Sequence, residues 1–341
     1  SPNYSGNGIG RVKNIFFFFF AIWRDTENLV KESKPDVVIA SSTYPMDIWV
    51  AKRIAKKSGA KLVFEVHDLW PLSPIELGGI SPKHPFMLLC QAAENYAYKH
   101  ADVVVSMLPK VHDHMQKHGL DLKKLVIVPN GIVENDWLED NIEALENKVL
   151  HDFIIECKNQ NKNIICYAGS HGVPNALQYF LDAANILRNK EDITFILIGS
   201  GLEKENLINI KIAKKLENVY FFDPIPKKQI PSLLKLIDIA YIGWCNVPIY
   251  RFGISPNKLM EYMMAGKPII HSVKAGNDAV GEANCGLTVA PENPELIAQG
   301  ILELSSLSKE QRNILGNNGK IFVQNNYLYS VLSKKFLEAI N

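Results

Sequence analysis

Asn163–Ala168 reads NIICYA, and Gly169-Ser170-His171-Gly172 follows it before a helical stretch that begins near Pro174. An uninterrupted apolar run has no polar face, so a strand built from it is buried on both sides. Such a strand, turning through glycines into a helix, is the repeating unit of a parallel sheet covered by helices. The unit recurs downstream at Ile193–Ile198 (ITFILI), Val219–Phe222, Ile237–Ile242 and Pro268–His271. Upstream it recurs at Asp36–Ala40 (DVVIA), Lys61–Val66 (KLVFEV), Asp102–Ser106 (DVVVS) and Leu125–Val128. Helices are predicted at Met46–Ser58, His84–His100 and Pro109–His118, with Gly59 and Gly119 as stops. Three more, near Pro294–Ser305, Ser308–Gln324 and Tyr329–Ile340, close the chain. The expected fold is α/β: two doubly wound units in tandem, with a ligand in the cleft at the carboxyl ends of the strands.

A length of 341 residues agrees with two domains. The acidic stretch Glu134–Glu146, just after Pro129-Asn130-Gly131, reads as the start of a linker. The predicted boundaries are 1–145, 146–325 and a terminal helix, 326–341, that packs back toward the first domain. The first domain opens with a Gly-rich polar loop, Ser1–Gly10, and an aromatic helix, where a strand and phosphate-type turn would be expected. It reads as lacking its first βα units, which leaves the run Phe16–Phe20 partly exposed. With no initiator Met, the chain is either a fragment of a longer protein or has an unusually small opening sheet.

Composition excludes several classes of partner. Hydrophobic residues make up 47% and charged residues 21%, enough for large cores and too apolar for extended disorder. The 37 basic and 36 acidic side chains nearly cancel, so no nucleic-acid partner is expected. A mild asymmetry remains: residues 1–125 carry 16 basic against 12 acidic groups, and residues 126–341 carry 21 against 24. Five scattered cysteines without a C-x-x-C pair fit buried thiols in a reducing, cytoplasmic compartment. The longest apolar run, Ile15–Trp23, has nine residues, under half of the roughly 20 that span a bilayer. Peripheral contact at the inner face of the cytoplasmic membrane is compatible with it.

The segment richest in chemistry is Arg251–Pro268 (RFGISPNKLMEYMMAGKP). Ser255 is predicted as an N-cap with Pro256 at the first helical position. Lys258 then faces the positive end of the helix dipole, which favours an anion beside it, such as a phosphate or diphosphate. Glu261, on the same face, can accept hydrogen bonds from sugar hydroxyls. A surface Lys-Glu pair on a capped helix is the plainer reading of the same residues. Gly169, Ser170, His171 and Gly172 form a second candidate, a turn that lets the backbone approach phosphate oxygens, with an ordinary βα turn as its alternative. Gly199-Ser200-Gly201 lacks the register of a dinucleotide fingerprint. His67-Asp68 stands at a strand's carboxyl end, where His67 can reach a bound sugar or simply cap the strand. His112, His114 and His118 suggest zinc only superficially, since no further ligand completes the set. No D-x-D sequence is present for a metal–nucleotide complex.

These motifs carry a family resemblance. FEVHDLWP (Phe64–Pro71), VIVPNGI (Val126–Ile132), YAGSHG (Tyr167–Gly172), ILIGSG (Ile196–Gly201), SPNKLMEYMMAGKPII (Ser255–Ile270) and CGLTVAPENPELIA (Cys285–Ala298) occur in an order and spacing similar to family-4 glycosyltransferases. The match covers the chain from about Asn3 to its end and lies nearest the fucosamine-transferase-like branch of bacterial surface-polysaccharide assembly. The resemblance implies a GT-B fold of two Rossmann-like domains facing a cleft, the first on the acceptor side and the second holding a nucleotide-diphosphate sugar. It implies that Glu261, matching the second Glu of an E-x7-E motif, binds the ribose. The first Glu falls at Gly253, so its contact to the donor sugar is missing or made by backbone groups of Ile254 and Ser255, and Asn257 joins the expected donor-binding set. The family's Arg and Lys on the first loop read Ser170 and about Asn175 here, which points to Lys258, with Arg251, as the replacement positive charge. His67 matches the position that contacts the donor sugar, and His67 and Lys258 are the expected catalytic residues.

The implied reaction is metal-independent transfer with retention, of a hexosyl or N-acetylhexosaminyl group, from a nucleotide-sugar donor with UDP favoured. The acceptor is a glycan or a polyprenyl-diphosphate-linked chain. No cofactor is expected, the nucleotide sugar being substrate. Two alternatives stand beside this reading: a non-catalytic nucleotide-sugar-binding assembly subunit, and a UDP-sugar 2-epimerase on the same fold.

Overall fold

The computed structural model describes residues 9–341, and they divide into two compact units. Most of the predicted opening loop lies outside the described residues, and Ile9 and Gly10 already belong to a helix. That helix, α1 (Ile9–Ser33), packs on α2 (Asp47–Ser58) beside a four-stranded sheet. The strands are β1 (Val37–Ala40), β2 (Lys61–Val66), β3 (Val103–Ser106) and β4 (Leu125–Ile127). They run parallel in the order β1-β2-β3-β4, with Val63 opposite Val103. Crossovers are supplied by α2, by α3 (Leu72–Glu76) with α4 (Pro85–His100), and by α5 (His112–Lys117). The last is shorter than the helix expected from Pro109, because a turn runs to Val111. Of the Phe run, Phe17 and Phe20 are 60% and 62% exposed, while Ile15 on the same helix is in the core.

The second unit begins at Asn130. The acidic stretch forms two short 3-10 turns, Glu134–Trp137 and Glu139–Asn141, before α6 (Lys148–Asn159). Then β5 (Asn163–Ala168), α7 (Leu177–Ile186), β6 (Ile193–Ile198), α8 (Lys204–Lys214) and β7 (Val219–Phe222) follow. After them come α9 (Ile230–Leu236), β8 (Ile239–Gly243), α10 (Asn257–Met264), β9 (Ile269–Ser272), α11 (Ala279–Glu282), β10 (Gly286–Val289), α12 (Pro294–Ser306) and α13 (Lys309–Asn326). The six strands run parallel in the order β10-β9-β8-β5-β6-β7.

Successive side chains of β5 enter opposite faces: Ile164, Cys166 and Ala168 join one core, Ile165 and Tyr167 the other. The chain winds outward from β5 in one direction through β7 and in the other through β10. β5 is therefore the switch point, and the crevice outside its carboxyl end is where an open sheet of this kind binds ligands.

Two later segments belong to the first unit by their contacts. Val247–Ile254 contributes Ile249 and Phe252 to its core, and Lys110 donates its backbone N–H to the Phe252 carbonyl at 3.0 Å. The last helix, α14 (Tyr329–Ile340), places Phe336, Ala339 and Ile340 on Val63, Val103 and Val105. All five cysteines are free thiols. No described helix is long and apolar enough to cross a membrane.

Candidate functional site

At the carboxyl end of β5, Gly169 takes φ +151°, and a Cβ there would lie 2.5 Å from Lys258 Cε and 2.7 Å from its Nζ. That φ is one that residues with a Cβ rarely adopt, and a larger residue would also push the end of the Lys258 side chain aside. Lys258 Nζ donates to Tyr167 Oη at 2.6 Å and stands 4.0 Å from the centroid of the same ring. The Tyr167 hydroxyl in turn donates a hydrogen bond to the Ser170 carbonyl, also at 2.6 Å. Gly199, at the end of β6, sits where a Cβ would land on the Gly169 carbonyl oxygen. The two loops thus lie backbone against backbone.

Helix α10 delivers Lys258 and Glu261, and Tyr262 fixes the helix to the sheet. Its buried hydroxyl accepts from Ala168 N at 2.8 Å and donates to Ala168 O at 3.2 Å. The helix starts one residue later than the sequence predicts. Pro256 holds an extended conformation at the cap position without a side-chain cap. The Ser255 hydroxyl is drawn away by Asn130, whose N–H donates to it at 2.9 Å and whose Nδ2 donates to the Ser255 carbonyl at 2.7 Å.

Burial brings the Lys258 ammonium down to about 7, against a weaker opposing pull from Glu261. Burial raises the Glu261 carboxyl, opposed by Lys227 and Lys258. Neither has an ion-pair partner among the described residues. A half-buried cation without an ion-pair partner, one helical turn from a carboxylate with none, is costly to fold and suited to an anion carrying hydroxyls.

Two cavities flank the pair. One, of about 580 Å³, is lined by Glu261, Asn257, Lys227, Trp137 and Asp136. The other, of about 280 Å³, is lined by Gly169, Ser170, Gly199, Ser200, Pro224 and Ile225, and Ile230 borders both. Together the two cavities leave room for a nucleoside diphosphate.

The remaining predicted residues fall in three places. His171 turns under the loop: its ring is fully buried between Tyr167 and Phe221 with neither nitrogen bonded, and burial holds it down to about 4. Its backbone joins the loops instead, N–H to Ser200 O at 2.8 Å and carbonyl from Glu203 N at 2.9 Å. Gly172 precedes a 3-10 turn, and Asn175 donates to the Ser170 carbonyl at 3.0 Å. Arg251 and Ile254 belong to the first unit, where the Arg251 guanidinium grips both oxygens of Glu76 at 2.7 Å. Its charge is thereby neutralised, leaving Lys258 as the cation beside Gly169.

In the first unit, His67 follows β2. Its Nε2 lies 2.9 Å from Ser41 Oγ and 3.6 Å from Glu65, and its Nδ1 lies 3.2 Å from Met107 Sδ. Three strand ends thus hold one imidazole. His114 and His118 are engaged with α4, His114 at 3.5 Å from Glu94 and His118 at 3.0 Å from Asn95. Sequence reasoning missed Tyr167 as the partner of Lys258, and Ser41 and Glu65, whose approach to His67 depends on strand pairing.

Comparison with known proteins follows the same division. The family described as glycosyl transferase 4-like domain matches residues 8–131, and the one described as glycosyl transferases group 1 matches residues 162–306. WcaI of Escherichia coli (strain K12), named for colanic acid biosynthesis glycosyl transfer, is 26% identical over 270 residues, 75% of this chain and 63% of that protein. TuaH of Bacillus subtilis (strain 168), named for teichuronic acid biosynthesis, is 24% identical over 211 residues, 62% of this chain and 50% of that protein. The chain thus spans between half and two thirds of these relatives. Among solved structures, Anabaena Alr3699/HepE in complex with UDP and glucose superposes with a TM-score of 0.67 at 16% identity, covering 92% of this chain and 80% of that one. WaaG, a glycosyltransferase involved in lipopolysaccharide biosynthesis, gives 0.68 at 16%, covering 100% and 85%.

Proposed function

The chain belongs to the family-4 glycosyltransferases of GT-B fold, and we propose from that premise that it transfers a sugar from a nucleotide-diphosphate donor to a surface glycan. The observation that carries the proposal is Lys258: an ammonium packed against Gly169 at the switch point, with no carboxylate in ion-pair contact among the described residues. A diphosphate placed there gains charge-assisted hydrogen bonds in a shielded site. The ribose then falls to Glu261 and the base to the Pro224–Ile225 wall. UDP is the favoured nucleotide because the HepE structure, of the same fold, holds UDP. The relatives named for colanic and teichuronic acid support a lipid-linked or growing polysaccharide acceptor.

Chemically, the bond between the anomeric carbon and the diphosphate oxygen breaks while an acceptor hydroxyl oxygen forms a new bond on the same face and gives its proton to the departing diphosphate. Negative charge grows on the departing oxygen, and Lys258 stands to stabilise it. Retention, metal independence and a role for His67 toward the donor sugar are part of this proposal. Peripheral contact with the membrane would bring a polyprenyl-linked acceptor within reach, and the exposed Phe17 and Phe20 of α1 support that part.

Lys258→Ala is expected to lower transfer by at least about a hundredfold while leaving cooperative melting intact, the scale seen when one oxyanion donor is removed. The check is a product assay over a panel of nucleotide sugars with and without acceptor, beside calorimetry with UDP. Near-normal transfer by that variant would sink the clamp. UDP binding without turnover on any donor would favour the assembly-subunit reading instead.

A further inference from the structure

The amino ends of β5, β8 and β9 lie at the edge of the second sheet opposite Gly169, one strand length or about 20 Å away. A hollow of about 370 Å³ opens there. Six cations line it, Lys158, Lys162, Lys235, Lys267, Lys309 and Arg312, from α6, the turn into β5, α9, the turn into β9 and the start of α13. Its one carboxylate, Asp238, is occupied with the Ile164 N–H at 3.0 Å. In a chain with 37 cations and 36 acids, this gathering is a local excess without a global one.

Hydrogen bonding holds the hollow's walls and leaves its charges unneutralised. Lys267 Nζ donates to the Lys235 carbonyl at 3.0 Å, and Arg312 donates to Asn163 Oδ1 at 2.6 Å and to the Ser305 carbonyl at 3.3 Å. Among the described residues, only Lys235 of the six makes an ion pair, a loose one of 3.8 Å with the exposed Glu139. Lys309 and Arg312 also sit in the first turn of α13, the positive end of an 18-residue helix, where cations are disfavoured unless an anion is near. Glu310, on the same turn, is outside the lining. Burial lowers Lys267 to about 8, and Lys158, Lys309 and Arg312 add to that shift, with Asp238 opposing. The cations therefore act on one another inside a single volume.

We propose that this hollow is a second anion site, taking a multiply charged phosphate group such as a diphosphate, apart from the donor site at Gly169. Convergence of lysine and arginine on a concave surface is the arrangement that binds phosphate dianions, and the ligand's charge would offset the repulsion built into the fold. The group can come free in solution or from an anionic lipid headgroup.

The test is calorimetry with inorganic pyrophosphate on four proteins: wild type, Lys258→Ala, the double variant Lys158→Glu/Lys309→Glu, and all three changes together. The two exposed lysines are chosen because their replacement leaves the core untouched. Lys258→Ala is expected to retain a pyrophosphate-binding event that the triple variant loses by at least about tenfold. The double variant is expected to keep wild-type UDP affinity, which reports an intact donor site and fold. A parallel sedimentation arm uses phosphatidic acid against phosphatidylcholine vesicles. Loss of pyrophosphate binding in the variants assigns a soluble ligand, and loss of phosphatidic acid binding alone assigns a headgroup. Unchanged binding of both probes by the double and triple variants overturns the proposal. Failure of UDP binding in every protein, wild type included, would count against the donor-site reading and leave this comparison readable.

Discussion

Lys258 carries a charge that its surroundings do little to repay. Burial moves its ammonium from an ordinary 10.5 to about 7. Between those values the folded chain binds fewer protons at this site than the unfolded chain, so stability rises with pH there, and the full penalty applies below about 7. Lys258→Met is therefore expected to raise Tm at pH 6, by about 2–4 °C for each kcal/mol recovered, with the gain shrinking toward pH 10. Calorimetric melts at the two pH values check this. Ligand binding has the opposite sign. A diphosphate prefers the protonated amine, so UDP affinity is expected to fall above pH 7 by up to about tenfold per unit, and Lys258→Arg to flatten the slope. Equal slopes in the two proteins would refute the assignment. Lys258 and Glu261 were legible because their spacing puts them on one helical face. Tyr167 was not, since nothing local distinguishes a tyrosine that receives a lysine from one that fills a core. The inward turn of the His171 ring was not legible for a related reason: a loop sequence shows which groups are present and not which way they turn.

Helix α10 is buried over the sheet through Leu259, Met260, Met263 and Met264, and one phenol, that of Tyr262, ties it to the β5 backbone. Tyr262→Phe removes the partner of the Ala168 N–H and carbonyl, both in a buried setting, and should cost about 1–3 kcal/mol. A urea titration measures that loss, and UDP calorimetry on the same variant should show weaker binding because Lys258 rides on the same helix. Elements of this second unit were readable to different degrees. β5, β6 and β7 have the predicted limits, since each is a continuous apolar run between polar turns. β10 was not foreseen: Gly286–Val289 is a short edge strand, with Thr288 exposed and the other residues half-buried, and no apolar run announces it. What places it is Gly286, pressed so closely on Ile269 that a Cβ would meet its backbone. The Ser255 cap failed because Asn130, 125 residues away in sequence, competes for the hydroxyl.

At the scale of the whole molecule, alternation of strand and helix sufficed to give two parallel sheets, but not the ownership of Val247–Ile254 by the first unit. Phe252 is 8% exposed there, and Phe252→Ala should lower stability by about 3–5 kcal/mol. The first unit's melting, followed in near-ultraviolet dichroism, should shift accordingly. A chain cut after Pro129 lacks Ile249, Phe252 and the cover that Phe336 gives Val63, and is expected to show no cooperative transition of its own. The same layout governs the order of assembly on the ribosome. β1 to β4 emerge ahead of the second unit, yet Phe336 and Ile340 arrive more than two hundred residues after Ile127. At roughly 5–20 residues per second that is a wait of about 10–40 s with Val63, Val103 and Val105 uncovered. The earlier-made of the two units is the later completed, and in that interval it is a client for whatever in the cell shelters apolar strands.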